Sequence, residues 1–501
     1  MAAPPDRSRA PRLNQALLPQ LPAALDVPRY DRAELATGIV HFGVGHFHRA
    51  HQAVYVDRAL RLGPAREWAI CGVGVTGSSP FKAAGLAQQD YLYTVKQKLP
   101  SGEDRSQVIG SITGYLTAAN GPAAIIAQVA NPTTRIVSLT VTEAGYEVQA
   151  RGGLLGDAGE GAEGPKNGYP PSAAWMAPLL RGLQLRRSNG YGGLSVVSCD
   201  NIQANGRVAR SALLDFAKLH DGAMVPWIEE EVAFPSSMVD RVVPGTTAAD
   251  IAYLNDQFGY VDDWPVTCEP FSEWVLEDVF VAGRPRWEEV GVEMVSNVEP
   301  YEAMKLRLAN GTHQVVCYFG VLLGYSYVHE AIADPDICAL VTRYIVEEAV
   351  PTLAPIAGTD LVQWGLTVIE RFGNPQLQDP LARICEQASV RLPKFLLPVV
   401  VDQLGRRGPV TVCAAVIASW ARYVEGKDES GKPIEIRDPL KENLIAAASR
   451  QHSHPTAFIE NVAVFGNLAK AAEFSAPFVE ALAIIHGQGA RALLQRLAAR
   501  D

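Results

Sequence analysis

Short apolar runs alternate with longer amphipathic stretches up to about Glu299. The runs at residues 38–42, 67–75 and 135–141 have the length and the β-branched content of buried strands. Helical spacing lies between them, for example at 47–61 and 122–130. This alternation predicts βαβ units built around a mostly parallel sheet. Further strands are predicted at residues 91–96, 108–115, 193–198, 274–281 and 291–295.

Helical spacing dominates after Glu299. Pro and Gly stand between these segments or at their starts, as helix boundaries require. The predicted helices are 301–323, 336–350, 380–388, 410–423, 439–449, 457–465 and 477–497. The pattern predicts an α/β domain over residues 1–296 and a mainly α-helical domain over residues 297–501. Residues 151–171 hold seven Gly and three Pro, and we expect them to form a surface loop inserted in the first domain.

Composition and charge narrow the class of partner. The 501-residue chain has 44 Lys and Arg against 54 Asp and Glu, a net charge of −10, and has no long basic run. Such a chain is a poor ligand for nucleic acid or for an anionic membrane. Its seven Cys are widely spaced with no C-x-x-C pair, which favours a reducing compartment and argues against a Cys-based zinc site. We find no apolar signal-peptide core, and the longest apolar stretch, 315–328, is too short to span a membrane. We therefore expect a cytoplasmic protein with neither a nucleic-acid nor a membrane partner.

The first predicted strand ends in Gly43-Val44-Gly45, directly before a predicted helix. Two glycines at that point allow a tight turn and a close approach of backbone N–H groups to a pyrophosphate. The third glycine position of the G-x-G-x-x-G pattern holds His48, so the motif alone is also consistent with a plain βα turn. Its place in the first βα unit favours dinucleotide binding and a Rossmann-like first domain.

The second predicted strand should end in an acidic residue that binds the ribose of NAD. Residues 75–80 contain no Asp or Glu and carry Ser78 and Ser79, with Lys82 beyond them. A carboxylate there would hydrogen-bond the ribose 2′-hydroxyl and repel the 2′-phosphate of NADP. Without it, the sequence leaves both coenzymes open, and it also leaves open that the adenosine is held elsewhere.

Four of the ten His lie within eleven residues, at His41, His46, His48 and His51. Such a cluster could ligate a metal ion, but the four are spread over a strand, a turn and a helix, and no Cys or carboxylate completes a set. We expect these side chains to pack and to hydrogen-bond near the phosphate site, and we expect no metal.

The most informative pattern of the second domain is Lys305-x4-Asn310-x2-His313. On an ideal α-helix at about 100° per residue, Asn310 lies about 140° and His313 about 80° from Lys305, so the three share one broad face. A buried Lys can act as a general base, and an Asn amide can donate to a developing alkoxide. A solvated polar face would give the same pattern. However, a glycine such as Gly311 costs about 1 kcal/mol inside a helix, and the segment leads into an apolar run. Both features favour a functional site over a solvated face.

Two further positions are candidates for the same reason. Asn201 follows a predicted strand, at the edge where open α/β sheets bind ligands. Asp240 and Arg241 form a charged pair inside an apolar segment. The sequence leaves a plain βα turn open for Asn201 and a structural ion pair open for the other two.

Together these stretches resemble the polyol-specific long-chain dehydrogenases, the mannitol dehydrogenase family. The matching segments are 38–51 (GIVHFGVGHFHRAH), 142–146 (TEAGY), 198–201 (SCDN), 234–244, 268–271 (CEPF), 274–278 (WVLED), 283–285 (GRP) and the Lys305 motif. The resemblance runs from about residue 25 to about residue 490. It implies metal-independent hydride transfer between a nicotinamide coenzyme and a secondary alcohol carbon, and specifically the interconversion of D-mannitol and D-fructose.

The resemblance also implies roles for individual catalytic residues. It makes Lys305 the general acid/base. Asn201 and Asn310 would polarise the carbonyl, and His313 would position the substrate and the lysine. In alcohol oxidation Lys305 has to be neutral, so its pKa has to lie well below the free value of about 10.4, and activity should rise toward alkaline pH.

The substrate and coenzyme contacts follow in the same way. Asp240 and Arg383 match family residues of the substrate site. Coenzyme contacts are expected from Gly43, Val44, Gly45, Phe47, His48, Arg49, Ser78, Ser79 and Glu143. NAD(H) is the expected coenzyme and NADP(H) the alternative, because NAD-preferring relatives carry acidic residues where this chain has Ser78 and Ser79. Chains of this kind are often monomeric, so we expect a monomer.

Other functions remain open. A hexuronate reductase acting on fructuronate or tagaturonate, or an arabinitol dehydrogenase, would share the catalytic lysine. A uronate needs a cation for its carboxylate, and Arg391 and Lys394 are candidates for it. A zinc alcohol dehydrogenase would need a Cys/His/Cys ligand set, which the sequence lacks. A nucleotide-binding sensor with an inactive site is opposed by the intact lysine, asparagines and histidine.

Overall fold

The structure is a computed structural model that describes residues 10–63, 65–75, 84–117, 122–147 and 173–498. The chain divides into two compact units, Met1–Glu299 (unit 1) and Pro300–Asp501 (unit 2). The sequence pattern places the boundary between residues 296 and 297. Unit 1 contains the strands and unit 2 is built from helices, which confirms the predicted fold class. The predicted loop at 151–171 and the residues Ser78 and Ser79 lie outside the described residues.

Unit 1 combines strands and helices in alternation. Its strands are Thr37–Phe42 (β1), Ala69–Gly74 (β2), Tyr93–Lys98 (β3), Asp104–Ile109 (β4), Ile112–Thr117 (β5), Ile136–Leu139 (β6), Ser195–Ser198 (β7), Ser237–Asp240 (β8), Val266–Cys268 (β9), Glu273–Glu277 (β10) and Glu293–Val295 (β11). Its helices are His46–Ala50 (α1), Gln52–Arg61 (α2), Ala123–Ala130 (α3), Ala173–Ser188 (α4), Asn205–His220 (α5), Val225–Glu231 (α6) and Ala248–Phe258 (α7).

A five-stranded parallel sheet in the order β5-β2-β1-β6-β7 forms the centre of unit 1. Alternate residues of β1 face opposite sides. Ile39 packs in a core with α2, whereas Val40 and Phe42 pack in a core with α3, α4 and α5. Because helices cover both faces, β1 reads as a nearly continuous apolar run, which is why its pattern was predictable.

Two smaller mixed sheets, β11-β10-β8 and β4-β3-β9, complete unit 1. The prediction of a single strand at 108–115 is wrong, because β4 and β5 belong to different sheets. The chain turns between them at Gly110, whose N–H donates to Asp57 Oδ1 at 2.9 Å, and at Ser111, whose hydroxyl donates to the Ala53 carbonyl at 2.7 Å. Both partners lie on α2, so a tertiary contact sets this turn.

The predicted helix at 47–61 is interrupted at His51, whose φ of −127° and ψ of −89° are not helical. The break allows the His51 ring to reach β10, where its Nε2 hydrogen-bonds the Glu273 carbonyl at 2.8 Å. The N-terminal segment is mostly irregular, as predicted. It is also packed, because Leu13, Leu18 and Leu25 share a core with Tyr260.

Unit 2 is organised around one buried helix. Its helical segments are Glu299–Lys305 (α8), a π-turn at Leu306–Asn310, Gly311–Leu322 (α9), Val328–Ile332 (α10), Pro335–Arg343 (α11), a π-turn at Tyr344–Ala349, Leu361–Phe372 (α12), Leu381–Cys385 (α13), Ala388–Phe395 (α14), Leu397–Arg406 (α15), Thr411–Val424 (α16), Lys441–Arg450 (α17), Val462–Phe465 (α18), Ala472–Gln488 (α19) and Ala490–Ala498 (α20). Helix α16 is apolar on all sides and buried over most of its length, as expected of a core helix. None of the described helices combines the length and the apolar character that a membrane span would need.

Candidate active site

The glycine turn lies at the carboxyl end of β1, between β2 and β6. Gly43 has a φ of +95°, and a Cβ on it would overlap the Thr140 carbonyl oxygen, so only glycine fits. Gly45 has no neighbouring atom nearer to its Cβ position than 3.7 Å, so its open side could admit a ligand close to the backbone. The strand order reverses between β1 and β6, which is where doubly wound sheets bind dinucleotides. These residues therefore fit a dinucleotide pyrophosphate.

The buried side chain of His41 supports this turn through Thr140. His41 Nε2 lies 2.9 Å from Thr140 Oγ1, and the same hydroxyl donates to the Gly43 carbonyl at 2.7 Å. Because that hydroxyl has one proton, His41 Nε2 donates to it, and Nδ1 accepts from Ser138 Oγ at 2.8 Å. Burial lowers the pKa of His41 to about 3, so the ring is neutral at physiological pH and its tautomer is fixed by these partners.

Two of the residues expected to contact the coenzyme have side chains that point into unit 1. The His48 ring is buried and stacks on His41 with centroids 3.4 Å apart. Arg49 is also buried, and its guanidinium donates to the Trp264 carbonyl and lies over the Tyr93 ring. Both side chains support the turn from inside unit 1, and the expectation that His48 and Arg49 contact a coenzyme stays a prediction.

The other residues of the segment divide into two groups. Val44 is buried and packs over Gly72 of β2, where a Cβ would lie 2.6 Å from Val44 Cγ2. Gly43, Gly45 and Phe47 are partly exposed, and the Phe47 ring stacks on His51 with centroids 4.9 Å apart. A ligand at this edge of the sheet can reach the backbone of the turn and the Phe47 ring.

Glu143 lies on the neighbouring loop, just after β6, and is exposed. The loop is held by Asp200, whose carboxylate accepts from the Val141 N–H at 3.0 Å and the Thr142 N–H at 2.8 Å. The Tyr146 hydroxyl donates to the same carboxylate at 2.6 Å. Burial raises the pKa of Asp200, and these three donors favour its charged form. Asp200 thus fixes the position of the loop that carries Glu143.

Asn201 is exposed in the turn after β7, and Asp240 is the buried last residue of β8. One residue joins these two elements. The Asn205 amide donates to the Asp200 carbonyl at 3.0 Å and the Ser237 carbonyl at 2.7 Å, and it accepts from the Ser237 N–H at 2.9 Å. Asn205 therefore holds the turn of Asn201 against the strand of Asp240.

Arg241 has a structural role. Its guanidinium donates to the Glu269 carbonyl at 2.8 and 3.1 Å and to the Ala50 carbonyl at 2.6 Å. Ala50 is the last residue of α1, the helix that follows the glycine turn. These bonds connect the end of β8 to the predicted coenzyme site, and they join the candidate residues of unit 1 into one hydrogen-bonded framework.

In unit 2, Lys305, Asn310 and His313 lie on one continuous helical segment. Lys305 is buried and ends α8, Asn310 ends the π-turn, and His313 lies in the first turn of α9. The Gly311 N–H bonds to the Leu306 carbonyl in the i→i+5 pattern of a π-turn. Asn310 follows Lys305 by five residues, which is about 1.4 turns of an α-helix and gives the angle of about 140° expected from the sequence. A π-turn has more residues per turn, so the angle between the two side chains is smaller here.

Tyr344 holds this π-turn. Its hydroxyl donates to the Arg307 carbonyl at 2.9 Å, inside the π-turn. A Cβ on Gly311 would overlap that hydroxyl. Gly311 has a poor helix propensity, but its lack of a side chain leaves room for the tyrosine hydroxyl. Tyr344 itself opens the second π-turn of unit 2.

The two remaining candidates of unit 2 have different surroundings. The His313 ring stacks on Phe372, the last residue of α12, with centroids 3.9 Å apart and planes 22° apart. Arg383 is exposed on α13 and pairs with Asp379 through two hydrogen bonds of 2.6 and 2.9 Å. The stacking fixes the plane of the histidine, whereas the arginine projects toward solvent.

Sequence reasoning missed the supporting residues Asp200, Asn205, Tyr344 and Phe372. Asp200 stands next to Asn201 at a strand end, a signal that the sequence did carry. The other three act through contacts between elements far apart in the chain, which no local pattern marks.

Comparison with known proteins matches nearly the whole chain. The mannitol dehydrogenase Rossmann domain matches residues 37–289, and the mannitol dehydrogenase C-terminal domain matches residues 297–486. The mannitol 2-dehydrogenase of Aspergillus fumigatus is 41% identical over 470 residues, which cover 91% of this chain and 93% of that protein.

Two solved structures are similar over comparable lengths. One is Pseudomonas fluorescens mannitol 2-dehydrogenase in a ternary complex with NAD and D-mannitol, with a TM-score of 0.82, 37% identity, and coverage of 98% of this chain and 100% of that one. The other is D-sorbitol dehydrogenase in a substrate-free form, with a TM-score of 0.86, 33% identity, and coverage of 96% and 100%.

Proposed function

The chain belongs to the mannitol dehydrogenase family, and we propose that it interconverts D-mannitol and D-fructose by hydride transfer with NAD. The observation that carries the proposal is the Lys305, Asn310 and His313 segment, with its π-turn. It lies in a chain of which 98% aligns with a mannitol 2-dehydrogenase bound to NAD and D-mannitol. Such an enzyme is a polyol dehydrogenase.

We propose that the coenzyme is held by the turn at Gly43 and Gly45, with Phe47 and Glu143 beside it. When bound, the nicotinamide accepts a hydride from the alcohol or donates one to the ketone. The open side of Gly45 and the reversal of strand order beside it support this assignment. NAD is the proposed coenzyme, because the similar structure contains NAD, and NADP is the alternative.

Lys305 acts as the general acid and base of the reaction. In ketone reduction its ammonium donates a proton to the carbonyl oxygen, and in alcohol oxidation its neutral amine accepts the hydroxyl proton. Its burial supports this role, because a low-dielectric position favours the neutral amine. The Asn201 and Asn310 amides donate hydrogen bonds to the oxygen that becomes an alkoxide, so they stabilise the transition state more than the ground state.

Three further side chains bind and orient the substrate. His313, with its plane fixed by Phe372, orients the reacting hydroxyl and the lysine. Asp240 and Arg383 bind the other hydroxyls of the polyol. Because acid–base catalysis by Lys305 accounts for the proton transfer, we propose that turnover needs no metal, and we propose that the enzyme works as a monomer in the cytoplasm.

The test is a panel of substrates and coenzymes, followed by absorbance of the reduced nicotinamide with EDTA present. The expected result is rapid oxidation of NADH with D-fructose, slower oxidation of NADPH, and reduction of NAD with D-mannitol. D-sorbitol is the comparison polyol because of the similar D-sorbitol dehydrogenase structure. Turnover with D-fructuronate alone would overturn the substrate assignment and would direct mutagenesis to Arg391 and Lys394. Loss of turnover in EDTA would overturn the metal-independent mechanism.

A further inference from the structure

Three helices of unit 2 end at one point on the protein surface. Glu425 directly follows α16, His452 lies two residues beyond α17, and His486 lies in the last turn of α19. Their potential metal-ligating atoms all lie within 4.8 Å of one another. None of the three has a role in the proposed hydride transfer.

The two histidine rings face the same carboxylate oxygen. His486 Nε2 lies 2.8 Å and His452 Nε2 lies 3.5 Å from Glu425 Oε1, and the rings stack with centroids 4.3 Å apart and planes 25° apart. Two ligands of a tetrahedral zinc ion, each at about 2.1 Å, lie about 3.4 Å apart. The His452–Glu425 pair is already at that separation, and the His486–Glu425 pair is shorter by about half an ångström. The ligating nitrogens of the two histidines lie within 4.8 Å of each other, so the three side chains have to adjust to face one ion.

The surroundings favour a cation. A helix carries about half a negative charge at its C-terminus, and three such ends meet here. Glu425 adds a carboxylate at the same point, and His486 Nε2 hydrogen-bonds its Oε1 at 2.8 Å. Arg422 is a nearby cation, and it lies 3.4 Å from the other oxygen, Oε2, so it does not pair with Oε1.

A second residue supports the carboxylate from inside. Gln451 is buried and its Nε2 donates to Glu425 Oε1. Its own Oε1 is buried without a hydrogen-bond partner in the described part of the chain. Such an amide orients the ligating carboxylate, as outer hydrogen-bond partners do in metal sites.

We propose that Glu425, His452 and His486 form a binding site for one transition-metal dication, of which Zn²⁺ is the representative. Two imidazoles and one carboxylate suit Zn²⁺ and related ions and do not suit Mg²⁺ or Ca²⁺, which take oxygen ligands. His452 is exposed, so the remaining position is open to water. The bound ion would tie together the ends of α16, α17 and α19, and it would stabilise unit 2 without taking part in turnover.

The test is binding of Zn²⁺ alone to chelator-treated, tag-free protein by titration calorimetry, with the melting temperature measured in parallel. The expected result is one Zn²⁺ per chain and, at a hundredfold excess over the dissociation constant, a melting temperature raised by about 5–10 °C. The His452→Ala variant removes a ligand itself, so it should bind more weakly by at least the about 10–100-fold that loss of an outer-shell partner costs. Mg²⁺ should cause no comparable shift.

The matched control is His454→Ala. His454 is a neighbouring exposed histidine that hydrogen-bonds a different carboxylate, Glu460, at 2.7 Å. This variant should bind Zn²⁺ like the wild type. A second test variant, His486→Asn, guards against a folding defect in the first. Absence of saturable binding to the wild type, or equal weakening in the His452 and His454 variants, would overturn the proposal whether or not the enzyme turns over D-fructose.

Discussion

Replacing Gly311 by Ala tests whether Tyr344 holds the π-turn beneath Lys305. In an ordinary helix this change stabilises by about 1 kcal/mol, because glycine has the poorer helix propensity. Here the new Cβ would overlap the Tyr344 hydroxyl, which donates to the Arg307 carbonyl. Tyr344 is fully buried and cannot move aside into solvent.

The expected sign is therefore reversed. Loss of the hydrogen bond costs about 1 kcal/mol, and forcing one extra carbon into a packed interior costs about 1–3 kcal/mol. After subtraction of the propensity gain, unit 2 should lose about 1–3 kcal/mol. For a unit of about 200 residues, this lowers the melting temperature by about 2–12 °C.

The assay is differential scanning calorimetry of four variants. Gly405→Ala is the matched control, since Gly405 lies in α15 with no atom within 4 Å of its Cβ position, and it should leave the melting temperature unchanged or raised. In a Tyr344→Phe background the hydroxyl is gone, so Gly311→Ala should cost less than in the wild type. A higher melting temperature for Gly311→Ala, or the same cost in both backgrounds, would refute the reasoning.

Three further predictions concern the coenzyme, the substrate and pH. Gly45→Ala should raise the KM for NAD about tenfold with an unchanged melting temperature, since its Cβ would enter the open side of the turn; an unchanged KM would contradict the coenzyme assignment. Arg383→Ala should raise the KM for D-fructose about tenfold with kcat nearly unchanged, as expected of a binding interaction; a fall in kcat alone would contradict it. Burial raises the pKa of Glu348 to about 7, above the unfolded value of about 4.3. The stabilising contribution of the neutral carboxyl is therefore fully present below about pH 4.3, and it is lost as pH rises through about 7. Between pH 5 and 8 the free energy of unfolding of the wild type should therefore fall by an amount on the order of 3 kcal/mol. Glu348→Gln should not show this fall. Parallel pH profiles of stability for the two proteins would contradict the prediction.

The fold was predictable where local pattern and tertiary packing agree. The strands of the central sheet are buried on both faces, so they stand out as apolar runs in the sequence. No helix was predicted over α12, which holds Gly365, a poor helix former, in its interior. In the structure, a Cβ on Gly365 would come within 2.6 Å of Ile345 Cγ2, so this glycine allows close packing inside an intact helix.

The candidate site was predictable in its residues but only partly in its geometry. Lys305, Asn310 and His313 have polar side chains at fixed spacing in an apolar region, which the sequence displays directly. The π-turn that sets their relative angles depends on Tyr344, far along the chain, and no helical periodicity reveals such a contact. The inward direction of Arg49 likewise depends on β3 and on the loop before β9, whereas His48 stacks on His41 of β1.

The measurement that tests the central claim most directly is the pH dependence of D-mannitol oxidation by the wild type and by Lys305→Ala. The account predicts that the wild-type rate rises with pH as the amine becomes neutral, and that the variant loses about 10²–10⁴-fold in kcat together with this rise. Circular dichroism of the variant provides the folding control. A folded variant that keeps the wild-type rate and pH profile would show that another group transfers the proton, and it would contradict the account.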